Sequence, residues 1–167
     1  MYQIFNSVLD WHFISASPKF MPSIQGVKEQ VVKATLDLFN RIKVEKDLLP
    51  TPKKSHYLFS LRDISRVFQT ISKSTYRSFK RDEDFVNLWI HECMRVFSDR
   101  LVDINDQTVF QNIVKVVLKN NFKYEWDKIV KQEPLLWTSY VPIMQVDKTG
   151  AKKIISGVYS ELTDKQN

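Results

Sequence analysis

Few residues of this chain are spaced for chemistry, and most of the patterns they begin are not completed. His91-Glu92 opens the His-Glu-x-x-His arrangement in which two histidines one helical turn apart hold zinc, but the fifth position is Arg95. The three histidines, His12, His56 and His91, lie far apart, and no other metal-ligand spacing occurs. Cys93 is one turn from apolar positions and reads as a core thiol, not a nucleophile. There is no Gly-x-x-x-x-Gly-Lys-Ser/Thr loop, so this stretch alone has no phosphate cradle. The expectation is no catalytic residue and no metal site.

What remains is a cation, Arg62, at a strongly marked helix start. Ser60 and Asp63 have capping-box spacing, and behind them Leu61, Ile64, Phe68 and Ile71 fall on one helical face with Val67 beside it. A helix N-terminus carries partial positive charge, so an arginine in its first turn costs ~0.3–1 kcal/mol. The same position, next to free N–H groups, suits an anion such as phosphate. Arg66 is one turn on. It could face the same cleft, but it also stands three residues after Asp63, and the ion pair is the favoured reading. Glu92 is expected to tie Arg95 or Arg66 to the fold, with Asp99-Arg100 in a similar joining role. Phe85, Trp89 and Phe97 read as core.

The elements that must position these residues are mostly helical. Residues 2–14 carry Ile4, Phe5, Val8, Leu9 and Phe13 near helical spacing, and 15–22 reads as a loop. A long helix over 23–46, capped by Ser23, has the stripe Ile24, Val27, Val31, Ala34, Thr35, Leu38, Phe39 and Ile42. Pro50 and Pro52 end that region, and an extended linker anchored by His56, Tyr57 and Phe59 leads to Ser60. Residues 72–81 turn; a helix over 82–98 begins with Asp82, Glu83 and Asp84, which suit the dipole. Asp103 or Asn105 caps the next helix, with Val109, Ile113, Val116, Val117 and Asn120 as its stripe. Trp126, Ile129 and Val130 mark a short helix stopped by Pro134, and Tyr140-Val141-Pro142 is extended. A last helix from Asp147 is expected to carry Ala151, Ile154, Ile155, Val158, Tyr159 and Leu162, weakened by Gly150 and Gly157. The expected fold is all-α, a bundle of about five to seven helices with room for a minor extended or hairpin segment.

Composition agrees. In 167 residues, 43% apolar with four tryptophans, there is enough for one real core, and only three glycines disfavour a turn-rich β fold. One cysteine excludes an internal disulfide and suits a reducing compartment. No apolar run of membrane-spanning length occurs, and the N-terminal residues lack the features of a signal peptide. The net charge of +6 permits a polyanion partner. Two rivals to an anion-sensing helix start therefore stand: a basic helical module binding nucleic acid through Lys73, Arg77, Lys80 and Arg81, or a helical protein-interaction adaptor. An ordinary solvated surface is the favoured reading of the charge. Whether Ser60 to Arg66 faces open surface or bundle interior separates the adaptor from the anion site.

Two runs carry a resemblance. PTPKKSHYLFSLRDISRVFQ, residues 50–69, and LWIHECMRVFSDRL, residues 88–101, resemble axonemal dynein heavy chains, in the lid of the third AAA+ module of the motor ring. One departure is Thr70, where the family usually has glycine. The resemblance implies an AAA+ lid-type fold, with 1–22 the end of the large subdomain or its connector and 23–167 the helical lid. It implies that Arg62 is the sensor-2 arginine, reaching over the cleft to a nucleotide, with Arg66 and Asp63 beside it. ATP or ADP with Mg would belong to the parent module, none being bound by this stretch alone. Partners would be the large subdomain and neighbouring ring modules of the same heavy chain. Microtubules would be contacted only indirectly, since dynein's track-binding site lies at a stalk tip elsewhere; neither membrane nor nucleic acid has a part. The implied setting is cytoplasmic and cytoskeletal, in a ciliary or flagellar axoneme, and the module a regulatory one in an ATPase motor.

Overall fold

A computed structural model describes residues 1–15, 22–79, 81–130, 135–139, 143–146, 152–155 and 159–161. Among them are six α-helices: α1 (Tyr2–Ser15), α2 (Pro22–Val44), α3 (Leu61–Ile71), α4 (Asp82–Phe97), α5 (Ile104–Phe122) and α6 (Trp126–Ile129). The fold is an all-α bundle with a small strand component.

Helix α4 is the axis. Its residues from Phe85 to Cys93 are all buried, so it is enclosed nearly all round, with Asn87, His91 and Glu92 as buried polar groups among the apolar ones. Its acidic first turn is closed by the Arg81 backbone N–H donating to Asp84 at 3.0 Å. α3 and α2 pack on α4, α5 packs on α2, and α1 lies across α2 and α3. Phe5 of α1 stacks on Phe68 of α3 with ring centroids 4.8 Å apart, and Trp89 of α4 meets Phe122 of α5 at 5.3 Å. Deep in this core the Trp89 indole N–H donates to the Thr35 hydroxyl at 2.9 Å, and Thr35 donates to the Val31 carbonyl.

The linker before α3 is pinned to the start of α5. Tyr57, 2% exposed, donates its hydroxyl to Asp106 at 2.8 Å and accepts the Val102 N–H at 2.8 Å. Lys54 bridges Asp106 and Asp103. Burial would raise the Asp106 carboxyl, but donation from Lys54 and Tyr57 outweighs it and holds the group below the ordinary carboxylate range.

Several expectations are corrected. On α1 only Phe5, Leu9 and Phe13 of the expected stripe are buried; Ile4 and Val8 face outward with Trp11 and Ile14. α2 begins at Pro22, a residue suited to the first helical position, so the Ser23 backbone lies inside the helix and not at the N-cap position. The inner face of α5 is turned about one residue from the expected stripe, to Asp106, Phe110, Val114, Val117, Leu118 and Phe122. Asp103 does stand at the N-cap of α5, with its carboxylate on Lys54.

The expected last helix is not formed. Ile154 and Ile155 belong to a strand, β3 (Lys152–Ile155), paired antiparallel with β2 (Ile143–Val146). A second pair joins β1 (Trp137–Thr138) to β4 (Ser160–Glu161), beside Tyr159. β-branched residues favour the pleated state, and the glycines weaken helix, so local propensity already leaned this way. Pro134, Gly150, Ala151, Gly157, Val158, Leu162, most of the 15–22 loop and Tyr140-Val141-Pro142 lie outside the described residues.

Candidate functional site

The start of α3 forms as its residues dictate. Ser60 is extended, with φ −129° and ψ 170°, and its backbone N–H donates to Asp63 Oδ2 at 2.8 Å, completing the capping box. Asp63 is 4% exposed. Its other oxygen, Oδ1, accepts from Arg100 Nη1 at 3.0 Å and from Arg66 Nη1 at 3.4 Å. The expected Arg66–Asp63 pair is therefore present, but as the longer and more exposed of two. Arg100 is the nearer partner, and it does more. Its Nη2 donates to the carbonyls of His56 at 3.0 Å and Leu58 at 3.2 Å, and its guanidinium lies 5.2 Å from the Phe59 ring centroid.

Arg62 stands apart from this arrangement. Its side chain is exposed and makes no hydrogen bond or ion pair among the described residues. Leu58 and Leu61 beside it are 66% and 47% exposed, and Ser65, Arg66 and Gln69 are exposed as well. The segment from Ser60 to Arg66 thus presents an open face. A cation at the positive end of a helix, with the one local acid, Asp63, capping the helix and paired with Arg100, is open to an external anion.

The second charged cluster is closed. Glu92, fully buried, accepts from Arg95 at 2.8 and 3.0 Å and from the Tyr159 hydroxyl at 2.5 Å. Arg95 also donates to Thr70 at 3.0 Å. Glu92 therefore holds Arg95, not Arg66. Burial, with Glu92 beside it, pushes the Tyr159 hydroxyl well up. His91 Nδ1 donates to the Leu135 carbonyl at 2.9 Å, which fixes its tautomer. A cavity of about 770 Å³ lies alongside, between α4, α6 and β1, lined by His91, Arg95, Trp126, Trp137 and Tyr159 among others. It is a poor anion site, because Arg95 is already neutralised by a buried carboxylate. Cys93 is buried, and burial raises its thiol well above the ordinary value, as a core thiol requires. No grouping of three metal-ligating side chains occurs among the described residues, and no helix there is long and apolar enough to cross a membrane.

The basic surface does not converge either. Arg81 pairs with Glu83 at 2.8 Å and with Asp84, Arg77 has a partner, and Lys80 lies outside the described residues. Of the quartet only Lys73 is an exposed cation with no partner among the described residues.

The all-α bundle is that of a helical lid domain, and comparison with known sequences gives the class. The AAA+ lid domain profile matches residues 31–132, and the chain belongs to that family. Within it the chain resembles axonemal dynein heavy chains. It is 41% identical over 128 residues, 77% of the chain, to dynein axonemal heavy chain 3 of Mus musculus. It is 37% identical over 131 residues, 78% of the chain, to the ciliary dynein beta chain of Tripneustes gratilla. Against dynein axonemal heavy chain 6 of Homo sapiens it is 31% identical over 163 residues, 97% of the chain. It spans only 3% of the length of the first two of these relatives and 4% of the third.

Arg100 is the residue whose role sequence reasoning only touched. Its spacing from Asp63, 37 residues, falls on no helical or strand period, so only a general joining role was legible.

Proposed function

We propose that this chain is the lid of a dynein motor module, the third AAA+ module by its resemblance, and that Arg62 contacts the nucleotide held by the rest of that module. The observation that carries the reading is the exposed Arg62 side chain, unpaired among the described residues, in the first turn of α3. Its guanidinium offers several donors to phosphate oxygens and keeps its charge. The residues present fit one such contact and no more. ATP or ADP with Mg would be held by the large subdomain, whose phosphate loop supplies the cradle. The lid adds a charge contact that gains strength when closure excludes water.

Closure moves the lid as one body, because α3 is packed on α4 and the linker before it is tied to the start of α5 through Tyr57 and Lys54, and this passes nucleotide state to the neighbouring module. Residues 1–22 serve as the connector to the large subdomain, with 23–167 as the lid proper. The outward face of α1, where Trp11 is 70% and Ile14 76% exposed, supports an apolar partner there. The relatives' names, axonemal and ciliary, support a cytoskeletal setting in a cilium or flagellum, with microtubules reached only through the whole motor. On its own the chain is not an enzyme. The test is Arg62→Ala in the complete motor ring: a severalfold loss of nucleotide affinity or turnover at this module is expected, and unchanged values would remove the assignment.

A further inference from the structure

Arg62 has no hydrogen bond or ion pair among the described residues to aim it. Its position depends on where the backbone of residues 60–62 is held, and Arg100 ties the linker before that segment to the helix after it. We propose that Arg100 is the positioning residue for Arg62, a role that rests on the reading of Arg62 as a nucleotide contact.

The geometry is that of a three-point brace. Arg100 Nη1 reaches Asp63 Oδ1 on the first turn of α3, while Nη2 reaches the carbonyls of His56 and Leu58 on the incoming linker. One planar group thereby sets the angle between the linker and the helix axis, and Arg62 leaves the chain at that corner. The joint is reciprocal, since His56 Nε2 donates to the Arg100 carbonyl at 3.1 Å. Two residues on, the Val102 N–H donates to the Tyr57 hydroxyl. Arg100 is itself rooted, at the end of the short 3-10 turn Ser98–Arg100 that follows α4, with the Leu101 N–H on the Ser98 carbonyl at 2.9 Å. Displacement of the α4–α5 junction therefore reaches the base of Arg62 directly. The capping box does not replace this brace. It fixes Ser60 relative to Asp63, both within the corner, and leaves residues 56–58 free of α3. Arg66 touches the same Oδ1 from the solvent side at 3.4 Å but reaches neither carbonyl. A lysine at 100 would carry the charge without the planar fork, so charge and positioning are separable.

Two measurements test it. In the complete motor ring, affinity for a fluorescent ADP analogue at this module is compared for Arg62→Ala, Arg100→Ala, Arg100→Lys and the double alanine variant. The expected result is that Arg100→Ala and Arg100→Lys each reproduce most of the Arg62→Ala loss, while the double variant is within about twofold of Arg62→Ala alone. Losses that multiply, or a wild-type Arg100→Ala beside a defective Arg62→Ala, overturn the positioning role and leave the nucleotide contact standing. If Arg62→Ala is itself silent, the nucleotide reading fails, and the second measurement still decides the brace. In the 167-residue chain a spin label at an Arg62→Cys site, with Cys93 buried and unlabelled, reports the motion of that corner. Arg100→Ala and Arg100→Lys should both raise label mobility in a chain that remains folded by circular dichroism; an unchanged spectrum refutes the brace.

Discussion

The Trp89 indole N–H donates to the Thr35 hydroxyl at 2.9 Å, with both residues fully buried, and this bond fastens α4 to α2 at the centre of the bundle. An unpaired buried donor costs ~1–3 kcal/mol. Thr35→Val, nearly the same shape, orphans the indole N–H and should destabilise by about that amount. Thr35→Ser keeps the acceptor, loses one methyl, and should cost about 1 kcal/mol. Urea unfolding of the two variants checks the order, and a valine variant as stable as the serine variant would refute it.

Helix α1 separates its two faces in one experiment. Leu9 is fully buried and Trp11 is 70% exposed. Leu9→Ala should cost ~2–5 kcal/mol by cavity formation. Trp11→Ala should change stability by less than about 0.5 kcal/mol, as surface substitutions do. Thermal melts of both variants decide it; a large loss from Trp11→Ala would mean that the outer face is already packed in the chain alone.

Arg95 compensates a carboxylate that water cannot reach. Removing it as Arg95→Ala leaves Glu92 with the Tyr159 hydroxyl and with His91 Nε2 at 3.7 Å. Breaking a fully buried pair costs ~3–5 kcal/mol; Arg95 is 44% exposed, so about 2–3 kcal/mol is expected at pH 8. Urea denaturation midpoints of the variant and the unaltered chain measure it, and equal midpoints would show that Tyr159 and His91 compensate Glu92 without Arg95.

Asp106 makes stability fall in acid. Its folded pKa is depressed, so its contribution is complete above the unfolded value of about 3.9 and disappears as pH falls through the folded one. Stability measured from pH 5 down to pH 2.5 should fall, and Asp106→Asn should flatten that fall. An identical acid slope in the variant would show that other carboxylates carry it.

Arg62 itself should be nearly silent in stability. It is exposed, unpaired among the described residues and unfavourably placed against the helix dipole. Arg62→Ala is expected to leave stability unchanged or raise it by ~0.3–0.5 kcal/mol. A clear loss in a thermal melt would reveal a structural partner for the guanidinium. Functional variants at this position can therefore be read without a folding defect behind them.

Much of the bundle was legible along the chain, and the failures have causes. α2, α3 and α4 each show a helical apolar period with a matching start or stop, and all three form nearly where that period lies. α5 misled because Val109, Ile113 and Val116 make a second apolar row beside the inner one. Val109 and Ile113 end half-buried, and Val116 is 46% exposed. The C-terminal helix failed because period outweighed propensity in the reading, where β-branched Ile154 and Ile155 pair in a strand instead.

What the sequence by itself determined is the local chemistry at Ser60 to Asp63: a capped helix start with a cation in its first turn. Capping and the dipole act within four residues, so they can be read without a fold. Only the tertiary structure decided that Arg62 points outward and that Asp63 answers to Arg100 as well as to Arg66. It also decided that Arg95 is taken up by Glu92. Those outcomes depend on which helix lies against which, and burial, through the cost of an unpaired charge, selects the partner only once the chain is packed.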